Sequence, residues 1–161
     1  MRSMEPGFVV IVNRGTVPLP PQEVWSRIGG FFDLHKFLAV TCTPLSGDGG
    51  LGSTRRIGDA IVEPMVGATA LSYTYAQTEG PMARHAYHGC VECLPTRDGS
   101  EVRYTLVYDQ TGIEPERRVA EQERLRERFH GALRAMLRHA EGHGATAARE
   151  AEARGEEPPR S

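Results

Sequence analysis

Apolar residues between Phe8 and Asp109 fall in short alternating runs broken by Gly, Pro and Asp, and after Pro115 the spacing changes to a helical one. The run FVVIVNRGTV, Phe8 to Val17, is β-branched and predicts a strand. LPPQEVWSRIGG follows, with prolines placed to open a short helix and glycines placed to end it, and FFDLHKF predicts a second short helical or turn segment. Apolar runs at Val40–Leu45, Ser53–Ile57, Ala60–Val66, Ala70–Thr78 and Arg84–Leu94, then Glu101–Asp109 after the loop Thr96–Ser100, bring the predicted strands to seven. Leu125, Phe129, Leu133, Met136, Leu137 and Ala140 fall on one helical stripe, and ERRVAEQERLRER charges the opposite face. That helix is expected from about Glu116 to about Glu141, ended by Gly142 and Gly144. A single domain over 1–143 is expected, and GATAAREAEARGEEPPRS, 144–161, has no large apolar residue and predicts a disordered charged tail.

Parity within the strands assigns side chains to faces. In TRRIGDAIVEPM, Thr54 to Met65, folding a hairpin about Asp59 sets Ile57 opposite Ile61 and Arg55 opposite Glu63, all on the face that carries Met65. A cation and a carboxylate therefore share an apolar face, where charge is tolerated only if it is paired or functional. The alternative is a cross-strand pair at a half-exposed edge. The other strands yield Leu71, Tyr73, Tyr75 and Gln77; His85, Tyr87, Gly89, Val91 and Cys93; and Val102, Tyr104, Leu106 and Tyr108 as their more apolar sets. The inward wall is thus rich in tyrosine, although tyrosine on a strand is more often core than chemistry.

Composition narrows the classes. The chain has 161 residues, 39% hydrophobic and 25% charged, with a formal charge of -2, which suits one folded domain and neither a disordered chain nor a membrane span. The basic excess of a nucleic-acid binder is missing. MRSMEPGFVV lacks the apolar run of a secretion signal and three cysteines cannot all pair, so a cytoplasmic chain with reduced thiols is expected. Lys36 is the only lysine, a bias that points to GC-rich coding DNA and a bacterial host.

Metal and triad chemistry find no pattern to rest on. His85 and His88 fall on opposite strand faces, His139 near a helix C-terminus reads as a charge complementing the dipole, and the sulfurs of Cys90 and Cys93 diverge on a strand. No metal and no cofactor are expected. His85 alone is of interest, as a group able to shuttle a proton or as a surface residue after the loop at Pro81.

The order strand, two short helices, six strands and a long C-terminal helix resembles the α+β helix-grip fold of the SRPBCC superfamily, which includes START domains, birch-pollen-allergen-like proteins and polyketide cyclases and dehydrases. VPLPPQEVWSRIGGFFDLHKFLAV, GSTRRI, AIVEP, SYTYAQTEGPM with AYHG, and VRYTLVYD with Gly112 are similar to successive blocks of the cyclase-like branch, from about Val10 to Gly142. The resemblance implies a seven-stranded curved antiparallel sheet whose gap to the long helix is a cavity for an apolar small molecule. Arg55 matches an arginine of that branch and Glu63 its acidic residue on the next strand. Where many members carry a Trp-His-Pro step, this chain reads Phe37, Leu38, Ala39, which makes the entrance apolar.

On this reading Arg55, Glu63, Tyr75 and Tyr87 are the candidate catalytic residues. Trp25, Phe37, Ile57, Tyr73, His85, Tyr104, Tyr108, Phe129 and Leu133 are candidates for ligand contact. A guanidinium can hold an enolate oxygen, a phenol a carbonyl, and Glu63 can act as base if burial outweighs its pairing with Arg55. The implied activity is cofactor-independent cyclisation or dehydration of a polyketide-like substrate, free or tethered to a carrier protein. The alternative is a non-catalytic carrier, sensor or sequestering protein. Neither nucleic acid nor membrane is expected as a partner, and the chain is expected to be a monomer or homodimer.

Overall fold

Strand β1 (Phe8–Val17) leads into helix α1 (Pro21–Ile28) and a one-turn 3-10 helix (Leu34–Lys36), after which come β2 (Cys42–Ser46), β3 (Thr54–Ile57), β4 (Ile61–Thr69), β5 (Ser72–Ala76), β6 (His88–Thr96), β7 (Gly99–Asp109) and helix α2 (Arg118–Ala140). This computed structural model describes residues 7–142, so the charged tail expected over 144–161 lies outside the described residues. The strands form one antiparallel sheet in the order β1-β7-β6-β5-β4-β3-β2. With α1 and α2 packed on one side of it, this is the α+β helix-grip arrangement. No helix among the described residues is long and apolar enough to cross a membrane.

Of the boundaries that differ from the sequence expectation, three have a clear local reason. The run Arg84–Leu94 enters the sheet only at His88, because Ala83–His85 form a turn of 3-10 helix and Ala86 adopts a left-handed φ of 50°. The loop expected over Thr96–Ser100 is a tight turn, since pairing continues to Thr96 opposite Gly99. The last helix begins as a 3-10 turn at Pro115–Arg117, where proline is tolerated, and becomes α-helical at Arg118.

The core lies between the sheet and α2. Tyr73, Tyr75, Val91, Cys93, Val102, Tyr104, Leu106 and Tyr108 are buried from the sheet side, and Leu125, Leu133, Met136 and Ala140 from the helix. Apolar area removed from water in this way contributes about 25 cal/mol per Å². Arg27 of α1 donates to the Ala140 carbonyl at the end of α2, satisfying one of the carbonyls a helix terminus leaves free. A register shift between Met65 and Gly67 bends β4, and such bulges add twist and curvature to a sheet.

Candidate functional site

The hairpin of β3 and β4 pairs Arg55 with Glu63 and Ile57 with Ile61. Gly58, at φ +58°, supplies the left-handed residue its turn requires. Both charged side chains face inward and are sealed, with Arg55 1% and Glu63 4% exposed. Arg55 donates from Nε and Nη2 to the single oxygen Oε1 of Glu63, at 3.0 and 2.8 Å, and from Nη1 to the Phe31 carbonyl at 2.8 Å. Its guanidinium carbon sits 4.2 Å from the Phe31 ring centre and 4.9 Å from that of Tyr75, so aromatic faces replace much of the lost water. Glu63 Oε2 makes no hydrogen bond among the described residues and is left to the pocket that Glu63 lines. Burial pushes the Glu63 carboxyl above the ordinary carboxylate range, outweighing the opposing pull of Arg55.

Beside the ion pair stand three phenols in a row. Tyr75 Oη lies 3.1 Å from Tyr87 Oη and 2.5 Å from Tyr104 Oη. Three hydroxyl protons serve two links, so whichever way the chain is oriented one O–H remains to donate to something else. All three residues line the pocket, which makes that donor available to a ligand oxygen. Burial raises the pKa of all three, so they stay protonated and act as donors rather than as phenolate bases. The hydroxyl end of the Tyr75 ring lies against Gly89, its cross-strand partner, where any Cβ would overlap it.

The pocket occupies about 430 Å³ between the sheet and α2. Arg55, Glu63, Tyr75, Tyr87 and Tyr104 line it from the sheet, Leu34, Phe37, Leu38, Ala39 and Val40 from the segment after α1, Ile57 and Ile61 from the hairpin, and Phe129, Ala132 and Ala135 from α2. The Phe129 ring sits 5.1 Å from Tyr104 and 6.3 Å from Tyr87, above the phenol row. Arg55, Glu63, Tyr75 and Tyr87, with Phe37, Ile57, Tyr104 and Phe129, are thus brought together.

Five expected ligand contacts stand elsewhere. Trp25 and Tyr73 pack with tilted rings 5.8 Å apart, and Tyr73 Oη lies 3.5 Å from Arg55 Nη1, a backing rather than a lining position. His85 sits 8% exposed in its 3-10 turn beside Gly112, outside the pocket. Tyr108 is buried near the end of β7 with its hydroxyl unpartnered, and Leu133 is buried in the core beneath α2. Parity put Tyr73 and Tyr108 on the inward sheet face but says nothing of position along it, and the pocket spans only part of that face.

Sequence reasoning missed the arginines of α2. Arg124, Arg128 and Arg138 line the solvent-exposed side of the pocket together with Gly131, and Gln77, Pro81, Met82 and Leu125 complete the wall. Their charge placed them on the solvent face, whereas they flank the apolar stripe, and the spacing Arg124, Arg128, Ala132, Ala135 was the signal available. His139 also departs from expectation. Its Nδ1 is buried without a partner and its ring lies 5.2 Å from Phe37. Burial, with Lys36 and Arg27 nearby, pushes its pKa down, so it is not a charge for the helix dipole. Among the described residues no cluster of His, Cys, Asp and Glu is arranged to hold a metal, and Cys42, Cys90 and Cys93 are free thiols.

Residues 9–142 match a family model described as polyketide cyclase / dehydrase and lipid transport. No curated protein sequence matches the chain significantly. Solved structures do. A protein from Thermobifida fusca superposes with a TM-score of 0.71 at 19% identity, over 83% of this chain and 94% of that one. A Nitrosospira multiformis protein does so at 0.64 and 19% identity, over 88% and 99%. Ara h 8.0201 follows at 0.65 and 15% identity, over 84% and 99%. At such identities the likeness is one of fold.

Proposed function

The chain belongs to the polyketide cyclase / dehydrase and lipid transport family, and from that premise we propose that it is a cofactor-independent cyclase or dehydratase acting on a largely apolar, oxygenated, polyketide-like substrate. Family membership supports the coarser part of the reading, a hydrophobic small molecule as ligand. The observation that carries the finer part is the second oxygen of Glu63, unpartnered in a pocket and belonging to a carboxyl whose pKa burial raises.

A base with a raised pKa is better matched to abstracting a proton from carbon near neutral pH. In the proposed aldol step Glu63 takes a proton from the carbon beside a ketone, and the phenol row donates to the resulting enolate oxygen. The enolate carbon bonds to a second carbonyl carbon of the same molecule, and the new alkoxide recovers the proton from Glu63. Loss of that hydroxyl with a further α-proton releases water and completes dehydration. Arg55 holds Glu63 in place and adds a positive field close to the developing anion.

The test is a product assay on linear poly-β-ketone analogues with the wild-type protein and Glu63→Gln. Cyclised product that forms with the first and falls at least a hundredfold with the second supports catalysis. Unchanged product distribution with intact ligand binding leaves a carrier, sensor or sequestering protein, a reading favoured by the lipid-transport branch of the family description. A bacterial cytoplasmic protein of secondary metabolism, monomeric or homodimeric, is part of the same proposal.

A further inference from the structure

The pocket lining carries four arginines, Arg55, Arg124, Arg128 and Arg138, against one carboxylate, Glu63. Glu63 is taken by Arg55, and Arg124 by Glu121 at 2.5 Å. Arg128 and Arg138 have no carboxylate within 4.0 Å among the described residues. The sequence explains why Arg128 is alone. Its neighbours on the helix surface, three and four residues away, are Arg124, Leu125, Gly131 and Ala132. One of them is a like charge, a pairing that disfavours a helix. That local cost falls at the pocket mouth, and the Arg128 charge reaches inward to act on the Glu63 carboxyl and the Tyr87 hydroxyl.

Of the lining residues that still reach solvent, Leu38, Ala39, Val40, Ile61 and Pro81 are apolar. A neutral apolar ligand would use these and gain nothing from the guanidiniums. We propose that the ligand of this pocket is an amphiphilic organic anion, whose apolar body lies between the phenol row and Phe129 and whose carboxylate or equivalent oxyanion is held at the mouth by Arg128, with Arg138 further along the same helix face. This rests on the ligand-binding reading given above and narrows its chemical class. Guanidinium groups suit such a head through paired N–H donors, and the uncancelled positive charge at the mouth steers anions toward it.

Two probes that share a skeleton and differ in charge test this. 8-Anilinonaphthalene-1-sulfonate carries an anionic group that N-phenyl-1-naphthylamine lacks, and fluorescence titration of the full chain yields a Kd for each. Arg128→Gln is expected to weaken the sulfonate probe about tenfold, the loss of one charge-assisted contact, and the neutral probe by less than about twofold. Each probe should displace the other. Raised salt should reproduce the difference in the wild type. Arg126→Gln, an exposed arginine of α2 that does not line the pocket, removes the same charge and should alter neither Kd. Equal weakening of both probes, or a sulfonate Kd unchanged in Arg128→Gln, overturns the inference while leaving the pocket a binding site. Failure of both probes to bind overturns the ligand-binding reading and the inference with it.

Discussion

Arg55 donates through Nε and Nη2 to one and the same oxygen of Glu63, at 3.0 and 2.8 Å, so the other oxygen of a buried carboxylate is free to act on whatever enters the pocket. The two partners are not equivalent when one is lost. A guanidinium cannot shed its charge, whereas a stranded carboxylate can take up a proton.

Glu63→Gln mimics the neutral carboxyl that burial favours and keeps an oxygen to accept from Arg55, so it should cost under about 1 kcal/mol of stability while removing the base. Arg55→Met should push the Glu63 pKa higher still, and the double variant should fold without turnover. Thermal melts beside a product assay for both single variants and the double check this. A double variant with full activity would leave these residues no catalytic role.

Activity should depend on the protonation of Glu63. The base is the ionised form and its pKa is raised above the ordinary 4.5, so rate should climb with pH through that raised value, and the limb should vanish in Glu63→Gln. Stability runs the other way. A carboxyl whose folded pKa is raised contributes stability that is present below 4.5 and lost as pH rises through the folded value, so melts against pH should show a downward component that Glu63→Gln lacks.

Tyr75→Phe should cost about 1–3 kcal/mol, because it strands the Tyr87 and Tyr104 hydroxyls on either side of it. Tyr87→Phe leaves the Tyr75–Tyr104 link whole and should cost less. Gly89→Ala should mimic the Tyr75 loss without removing a hydroxyl, by pushing the end of the ring and its Oη out of line. Binding of a ketone-bearing ligand to each variant, measured by titration calorimetry, separates the lost donor from the displaced ring. Equal costs for Tyr75→Phe and Tyr87→Phe would show that the row is not a connected chain.

His139 should make the fold sensitive to mild acid. Its pKa is pushed below 6.5 by burial, so its contribution to stability is present above pH 6.5 and lost as pH falls through the folded value. His139→Leu should flatten that part of the melting profile and keep the packing against Phe37. An unchanged acid slope in this variant would assign the effect to other groups.

The alternation of β5, β6 and β7 and the pairing arithmetic of TRRIGDAIVEPM are local consequences of a two-residue period, so the sequence alone determined which side chains point inward, and that Arg55 meets Glu63. It also determined the helical stripe of α2, apart from which arginines flank it. What lay beyond it was depth and solvation. Tyr73 and Tyr108 share the inward sheet face with Tyr75 and Tyr104, yet only part of that face borders the pocket, whose other wall is Phe129, Gly131, Ala132 and Ala135 of α2, far away in the chain. The protonation of Glu63 was open for the same reason. Burial and ion pairing push its pKa in opposite directions, and their balance depends on how many donors reach each oxygen and how much water remains, which only the folded arrangement fixes.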